Sequence, residues 1–265
     1  MPRTLNQLDL GTSVYVSESG ADVEYILLKK DVEGCILLRA QALEARRISP
    51  TNVSVYENSE MDQWLTDEET GYMSLFNTAT KNAIVSRSRP TFNYGDSECR
   101  WISRRAFLLT QGEMFGSTPT ALEPLTSLVP ALYIWQGTES ANTARICKNA
   151  TDTADYWWLS SPRSAANVSG VNAKGASYTI NASFTDFWAR PALNVASATI
   201  VSDEGADIIR LAPTQEYREV SFSGKALEVA ERPKKALVEY NTSNLYDVAV
   251  EIRNNYGDAS PVWVP

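Results

Sequence analysis

The sequence predicts an α+β protein, one larger domain of strands and short helices followed by a small β module. Three observations predict it. Near the N-terminus, short Val/Ile/Leu-rich runs are separated by Gly/Asp turns, the pattern of a β-meander. Toward the middle, apolar residues at helical spacing follow residues suited to cap helices. Beyond Pro213, apolar and polar residues alternate through "REVSFSG", "KKALVEY" and "YDVAVEIRNN", with "ERPK" as a linker-like break.

In chain order, "TSVYVSE", "VEYILLKK" and "GCILLRA" predict three strands, joined by turns at "SGAD" and "DVEG". Ser59 lies three residues before Asp62 and is the expected N-cap of a helix. Met61, Trp64 and Leu65, then Tyr72, Leu75 and Phe76, keep helical spacing, but Gly71 falls between them and predicts two short helices. "RRAFLLT" is a short apolar run, and Thr110-x-x-Glu113 after it has capping-box spacing. From Ser117 to Ala154 the chain is Thr/Ser/Pro-rich and weakly periodic, which reads as a functional or packed loop. "YWWLS", "GASYTI" and "FWARPALNV" predict three more strands, and "SATIVS" and "ADIIRL" continue in the same style. A boundary near Pro213 divides residues 1–212 from residues 213–265. The second part is too short to build a core alone. It is expected to lean on the first domain, on a partner or on copies of itself, and so to serve attachment or homo-oligomerisation.

Composition removes several classes of function. A net charge of −8 with no basic stripe disfavours nucleic acid and anionic membranes, which both need a cationic footprint. No apolar run approaches the ~18 residues of a membrane helix. The N-terminal stretch lacks the continuous apolar segment of a secretion signal, so synthesis in a cytosol is expected. The chain has no histidine, and Cys35, Cys99 and Cys147 are far apart. Cys/His metal sites and histidine-activated nucleophiles are therefore unavailable, and the cysteines read as small buried hydrophobes. The carboxylate groups Asp152 with Asp155, Asp67 with Glu68 and Glu69, and Asp203 with Glu204 sit in turn-like contexts that suit solvated loops or helix starts. Asn149, Asp152 and Asp155 form the one candidate oxygen cluster for calcium. No catalytic residue, metal or cofactor is assigned.

The densest aromatic cluster opens "DYWWLSSPRSAANVSGVNAKG", which then continues almost without acids or bases. Strand alternation puts Trp157 and Leu159 on a core face and Tyr156, Trp158 and Ser160 opposite. It likewise groups Phe187 with Ala189 and Trp188 with Arg190. Arg190, just before Pro191, reads as a hydrogen-bonded structural anchor. Ser161, Arg163, Asn167, Ser169, Asn172, Asn181 and Asp186 are placed in loops joining these strands, where binding residues concentrate. Tyr, Trp, Ser and Asn together are what adaptable recognition surfaces use.

"WWLSSP" at Trp157–Pro162, "VNAKG" at Val171–Gly175 and "ARPALNV" at Ala189–Val195 are similar to the signature of the family known as domain of unknown function 6273. "MDQWLTDEETGYMSLF", "RRAFLLTQGEMFG" and the opening strands resemble that family's earlier segments in the same order, so that the likeness spans roughly residues 8–212. Ser160 stands where the family signature has arginine. The resemblance implies a fold related to the C-type lectin and formylglycine-generating-enzyme-like group, of a kind common in gut Firmicutes and their phages. The tail "VEIRNNYGDASPVWV" also looks like β modules appended to phage structural proteins. The formylglycine-generating branch needs a reactive cysteine pair close in sequence, which this chain lacks.

The expectation is thus a non-enzymatic phage virion protein, a capsid, collar or tail decoration made in the bacterial cytoplasm. It would display a lectin-like loop surface to a host or mucosal glycan or protein, alongside other virion proteins and copies of itself. A free bacterial lectin or adhesin, and an enzyme of the formylglycine-generating type, are the alternatives. The expected ligand-binding residues are Trp158, Ser161, Arg163, Asn167, Asn172, Asn181, Phe184 and Asp186. Trp157, Pro162, Arg190 and Pro191 are the expected structural signature.

Overall fold

The computed structural model describes residues 3–116, 143–203 and 208–212, together with the backbone of two short strands near the C-terminus. The chain divides into two compact units, Met1–Pro213 and Thr214–Pro265. In the first unit β1 (Arg3–Thr4), β2 (Ser13–Glu18), β3 (Ala21–Asp31) and β4 (Gly34–Arg39) precede α1 (Glu60–Thr66) and α2 (Thr78–Ala83). Then come β5 (Arg87–Thr91), β6 (Arg100–Arg104), β7 (Ala106–Phe107), α3 (Gln111–Phe115), β8 (Cys147–Lys148), β9 (Ala154–Asp155) and β10 (Trp157–Pro162). β11 (Asn167–Val171), β12 (Ser177–Asn181), β13 (Ala192–Val195), β14 (Ile200–Asp203) and β15 (Ile209–Leu211) complete it. The protein is a mixed α+β chain dominated by strands. Of the second unit, β16 (Ile252–Arg253) and β17 (Trp263–Val264) are described and pair antiparallel; "REVSFSG" and "KKALVEY" lie outside the described residues.

The main sheet runs β1-β14-β15-β2-β3-β4-β13-β7, antiparallel except where β15 meets β2. Within it β4, between β3 and β13, is buried along its whole length. The unbroken "CILL" of this strand follows from burial on both faces. Cys35 and Leu37 enter one apolar cluster, with Leu27, Val195 and the helical residues Met61 and Leu65. Ile36 and Leu38 enter the other, with Phe107, Met114 and Trp157. The sheet therefore separates two cores, and β3, β4, β13 and β7 each feed both through the two-residue period.

The helices start as the sequence predicts. Ser59 Oγ accepts from the Asp62 N–H at 3.2 Å and starts α1. Tyr72–Leu75 forms a separate 3-10 turn. Gly71 separates the two because the chain doubles back on itself there: a Cβ would lie 2.2 Å from the Trp64 carbonyl oxygen. At α3, Thr110 Oγ1 accepts from Glu113 N–H at 3.1 Å, and Glu113 Oε2 accepts from Thr110 N–H at 2.8 Å. This closes the capping box. Glu113 also forms a buried bidentate pair with Arg89.

Two sequence expectations need correction. "FWARPALNV" becomes a strand only from Ala192. Phe187 to Ala189 instead bond two neighbours at once: Trp188 exchanges backbone bonds with Tyr156 and Trp158, while Arg46 N–H donates to the Phe187 carbonyl and Ala189 N–H to that of Glu44. The second correction is β11, read as part of a polar loop but in fact the middle strand of the three-stranded sheet β10-β11-β12. Its small residues answer a packing demand. At Gly170 a Cβ would stand 3.0 Å from both Phe187 Cε2 and the Trp157 carbonyl oxygen. Of the stretch from Ser117 to Ala154, residues 117–142 lie outside the described residues, and β8 pairs with β9 beyond them. Among the described residues no helix is long and apolar enough to cross a membrane.

Candidate recognition surface

Register decides which side chains of the three-stranded sheet share a face. Trp157 pairs with Val171 and Trp158 with Gly170; Gly170 pairs with Tyr178, and Val171 with Ser177. Trp158, Val168, Gly170, Tyr178 and Ile180 therefore lie on one face, and Trp157, Ser169, Val171, Ser177 and Thr179 on the other.

On the first face, Phe187 lies over the gap left by Gly170 and is 4 % exposed. Four aromatics ring it. Trp158, Tyr156, Phe184 and Tyr178 have centroids 4.9, 5.0, 5.7 and 5.9 Å from that of Phe187. Tyr156 and Tyr178 also meet edge to face at 5.2 Å. These are the separations at which ring pairs attract. Trp158 is wholly buried, Tyr156 is half-buried, and Tyr178 and Phe184 are 40 % and 39 % exposed. The cluster thus begins in the core and ends at the surface as a stiff, partly open aromatic patch. The exposed Thr185 and Asp186 follow Phe184 directly, with Thr185 Oγ1 donating to Asp186 Oδ1 at 3.1 Å.

The opposite face carries a bonded polar network beside the buried Trp157 and Val171. Arg163 Nε donates to Ser169 Oγ at 3.1 Å, and its Nη2 to Ser177 Oγ at 2.9 Å. Ser169 Oγ donates to Gln111 Oε1 at 2.8 Å, and Gln111 N–H to Ser161 Oγ at 2.7 Å. Ser161 and Ser169 are buried. This network ties the start of α3 across the sheet.

The residues expected to bind together do not form one surface. Trp158 is fully buried, its indole N–H donating to the Arg46 carbonyl at 2.6 Å. The alternation was right about its face, but that face is core as well. Ser161 is 2 % exposed, sealed by Gln111. Asn167 and Asn181 sit opposite each other in β11 and β12 rather than in loops. Asn172 stands just beyond the far end of β11, about 16 Å along the chain from Asn167. Its Oδ1 accepts the N–H groups of Lys174 and Ala176, at 2.9 and 3.0 Å, and shapes the hairpin turn. Asn181 Oδ1 does similar work for Ser183. Arg163 is half-buried on the polar face. Only Phe184 and Asp186 remain exposed together, and their neighbours Tyr156 and Tyr178 were not among the expected binding residues. The register that brings Tyr178 beside them depends on β11 being a strand.

The structural signature is placed firmly. Trp157 is fully buried, its indole N–H donating to the Arg145 carbonyl at 3.1 Å. The Arg190 guanidinium lies 4.8 Å from the centre of that ring and donates to the carbonyls of Arg39 and Ala40 at 2.9 and 3.1 Å. Pro162 pairs with Val168, and the Pro191 carbonyl accepts from Arg39 N–H at 3.0 Å.

Elsewhere among the described residues, several ionisable groups are paired with one another. Burial alone would raise the Asp31 carboxyl, but bonds and charge from Arg87 and Lys29 hold it down to about 2. Burial would also raise Glu113, but Arg89 and the Thr110 N–H keep it below its ordinary value. Tyr25 and Tyr72 are pushed well up by burial, in a cluster with Glu18 and Arg39. A polar cleft of about 400 Å³ lies beside Asn58, Thr66, Ser103 and Arg104. There Arg104 spends Nε and Nη2 on Asp62, each at 2.7 Å. Asn149 Nδ2 donates to Asp155 and Lys148 pairs with Asp152, both within 3.0 Å. Among the described residues, no three His, Cys, Asp or Glu side chains gather as metal ligands. Cys35 and Cys147 are buried and Cys99 is half-buried.

Fold and surface together define a strand-rich α+β domain that presents an aromatic patch at the edge of a small sheet. The chain belongs to the family described as Domain of unknown function (DUF6273), whose model matches residues 24–197. No curated protein and no solved structure matches the chain.

Proposed function

We propose that this protein is a non-enzymatic recognition domain that binds a glycan or protein through Tyr156, Phe184 and the neighbouring loop to Asp186. The observation that supports it is the half-open aromatic cluster on Phe187, with Tyr178 and Phe184 about two-fifths exposed on a rigid base. Such rings give large contact area at small entropic cost, and adjacent hydroxyl and carboxylate groups can orient a polar ligand. A lectin-like fold, and a place on a phage particle with the second unit as the attachment module, belong to the same proposal and rest on the sequence resemblance.

The test combines a glycan array with adsorption to candidate host cells, comparing the parent with Tyr156→Ser/Phe184→Ser. The double variant should bind at least tenfold more weakly while keeping its circular dichroism. Unchanged adsorption would refute the reading.

A further inference from the structure

A different feature of the same sheet concerns assembly. β12 is its outer strand, and Ser177, Tyr178 and Thr179 are exposed. Two bonds at the ends of the ladder fix where its backbone points. Asn172 N–H donates to the Ala176 carbonyl and Ala182 N–H to that of Ala166, each at 2.9 Å. By alternation, residues 176, 178, 180 and 182 bond toward β11, while Ser177, Thr179 and Asn181 direct their backbone groups outward. The Asn181 carbonyl is taken by Phe184 N–H at 3.0 Å. Ser177 and Thr179 are left presenting backbone donors and acceptors to the outside.

Edge strands of this kind are usually guarded by charge, proline or shortness. Other described edges show such guards: β1 and β7 are two residues long, β6 carries Arg100 and Arg104, and β10, the other outer strand of this sheet, is covered by bonds to Trp188 and Leu109. β12 has none. Between Lys174 and Asp186 no residue is charged, in a chain of net charge −8. Its sequence is also self-complementary. In an antiparallel pairing about Thr179, Thr179 meets Thr179, Ser177 meets Asn181, and Tyr178 meets Ile180. The two Thr179 residues exchange both backbone bonds. Tyr178 and Ile180 then occupy non-hydrogen-bonded positions, where opposing side chains approach most closely. The same operation on β6 about Ile102 would oppose Arg100 to Arg104.

We propose that β12 is the contact by which two copies of this chain pair, joining their three-stranded sheets across a two-fold axis. Tyr178 and Ile180 of each copy cover those of the other, and Tyr156 and Phe184 stay outside the paired strand. The pairing takes Tyr178 out of the aromatic patch and leaves Phe184 as its exposed ring, whatever the patch binds.

Light scattering of the full chain across the micromolar range tests it. The parent should show twice the chain mass, and Thr179→Pro should halve it. The Thr179 N–H points away from β11, so proline there removes no bond of the fold and is tolerated on an edge. An unchanged far-ultraviolet spectrum checks this. If Thr179→Pro does not fold, Tyr178→Lys, which leaves the backbone intact and opposes charge to Ile180, decides in the same way. A parent that stays monomeric, or a dimer that survives the substitution, overturns the proposal. Cell adsorption of Thr179→Pro with and without Tyr156→Ser/Phe184→Ser, both of one chain mass, reports on the recognition reading alone.

Discussion

Gly170, Trp157 and Arg190 show how much of the site rests on single side chains. Gly170→Ala would push a methyl against Phe187 and the Trp157 carbonyl, both 3.0 Å from the new atom. A loss of roughly 1–3 kcal/mol is expected, read by urea denaturation, together with a change in near-ultraviolet dichroism as the Phe187 cluster shifts. Trp157→Ala removes a fully buried ring and should cost about 3–5 kcal/mol. Arg190→Ala leaves the Arg39 and Ala40 carbonyls short of a donor and should cost about 1–3 kcal/mol. If both of the last two variants melt like the parent, these side chains do not carry the signature. The burial of Trp157 and Arg190 could be read from an apolar strand and from the position before proline, although Trp158, which alternation sets on the other face, is buried as well. The binding residues were not legible, since a polar side chain looks alike in sequence whether it faces water, as Asp186 does, or caps a neighbour, as Ser161 does.

At the scale of elements, the meander, the two caps and the interruption at Gly71 could be read directly, because each depends on residues a few positions apart. β11 could not. Ser, Gly and Asn favour turns locally, and only the distant Phe187 explains why a strand of small residues is stable there. The buried ion pairs were equally hidden, yet they set the acid response. The folded Asp31 titrates at about 2, below the ~3.9 of an unfolded chain. Glu113 is likewise depressed. Groups lowered on folding stabilise fully above the unfolded value and lose that contribution as pH falls through the folded one. The melting temperature should therefore hold down to about pH 5 and fall steadily toward pH 2. Glu113→Gln should flatten part of that slope. At neutral pH it should cost about 3–5 kcal/mol, because Arg89 would be left buried without its counter-charge. A variant as acid-sensitive as the parent would show that this pair does not govern the transition.

For the whole molecule, the division at Pro213 matches a change of pattern that the sequence displays, although the packing of the second unit does not follow from it. If that unit serves attachment, a chain ending at Pro213 should keep the cooperative melting and the glycan or cell binding of the parent while losing particle association, measured by co-sedimentation. Loss of ligand binding on truncation would place recognition in the second unit instead. The two indoles of β10 add a kinetic consequence. Trp157 and Trp158 point to opposite cores, and their N–H groups bond the carbonyls of Arg145 and Arg46, far apart in sequence. Both indole rings are fully buried and held by these bonds. Their exchange with deuterium should therefore proceed through the largest opening the first unit undergoes. The two rates should be nearly equal, and should slow or quicken together with every change in global stability. A faster Trp158 proton would mean that the aromatic patch opens by itself, ahead of the rest of the fold.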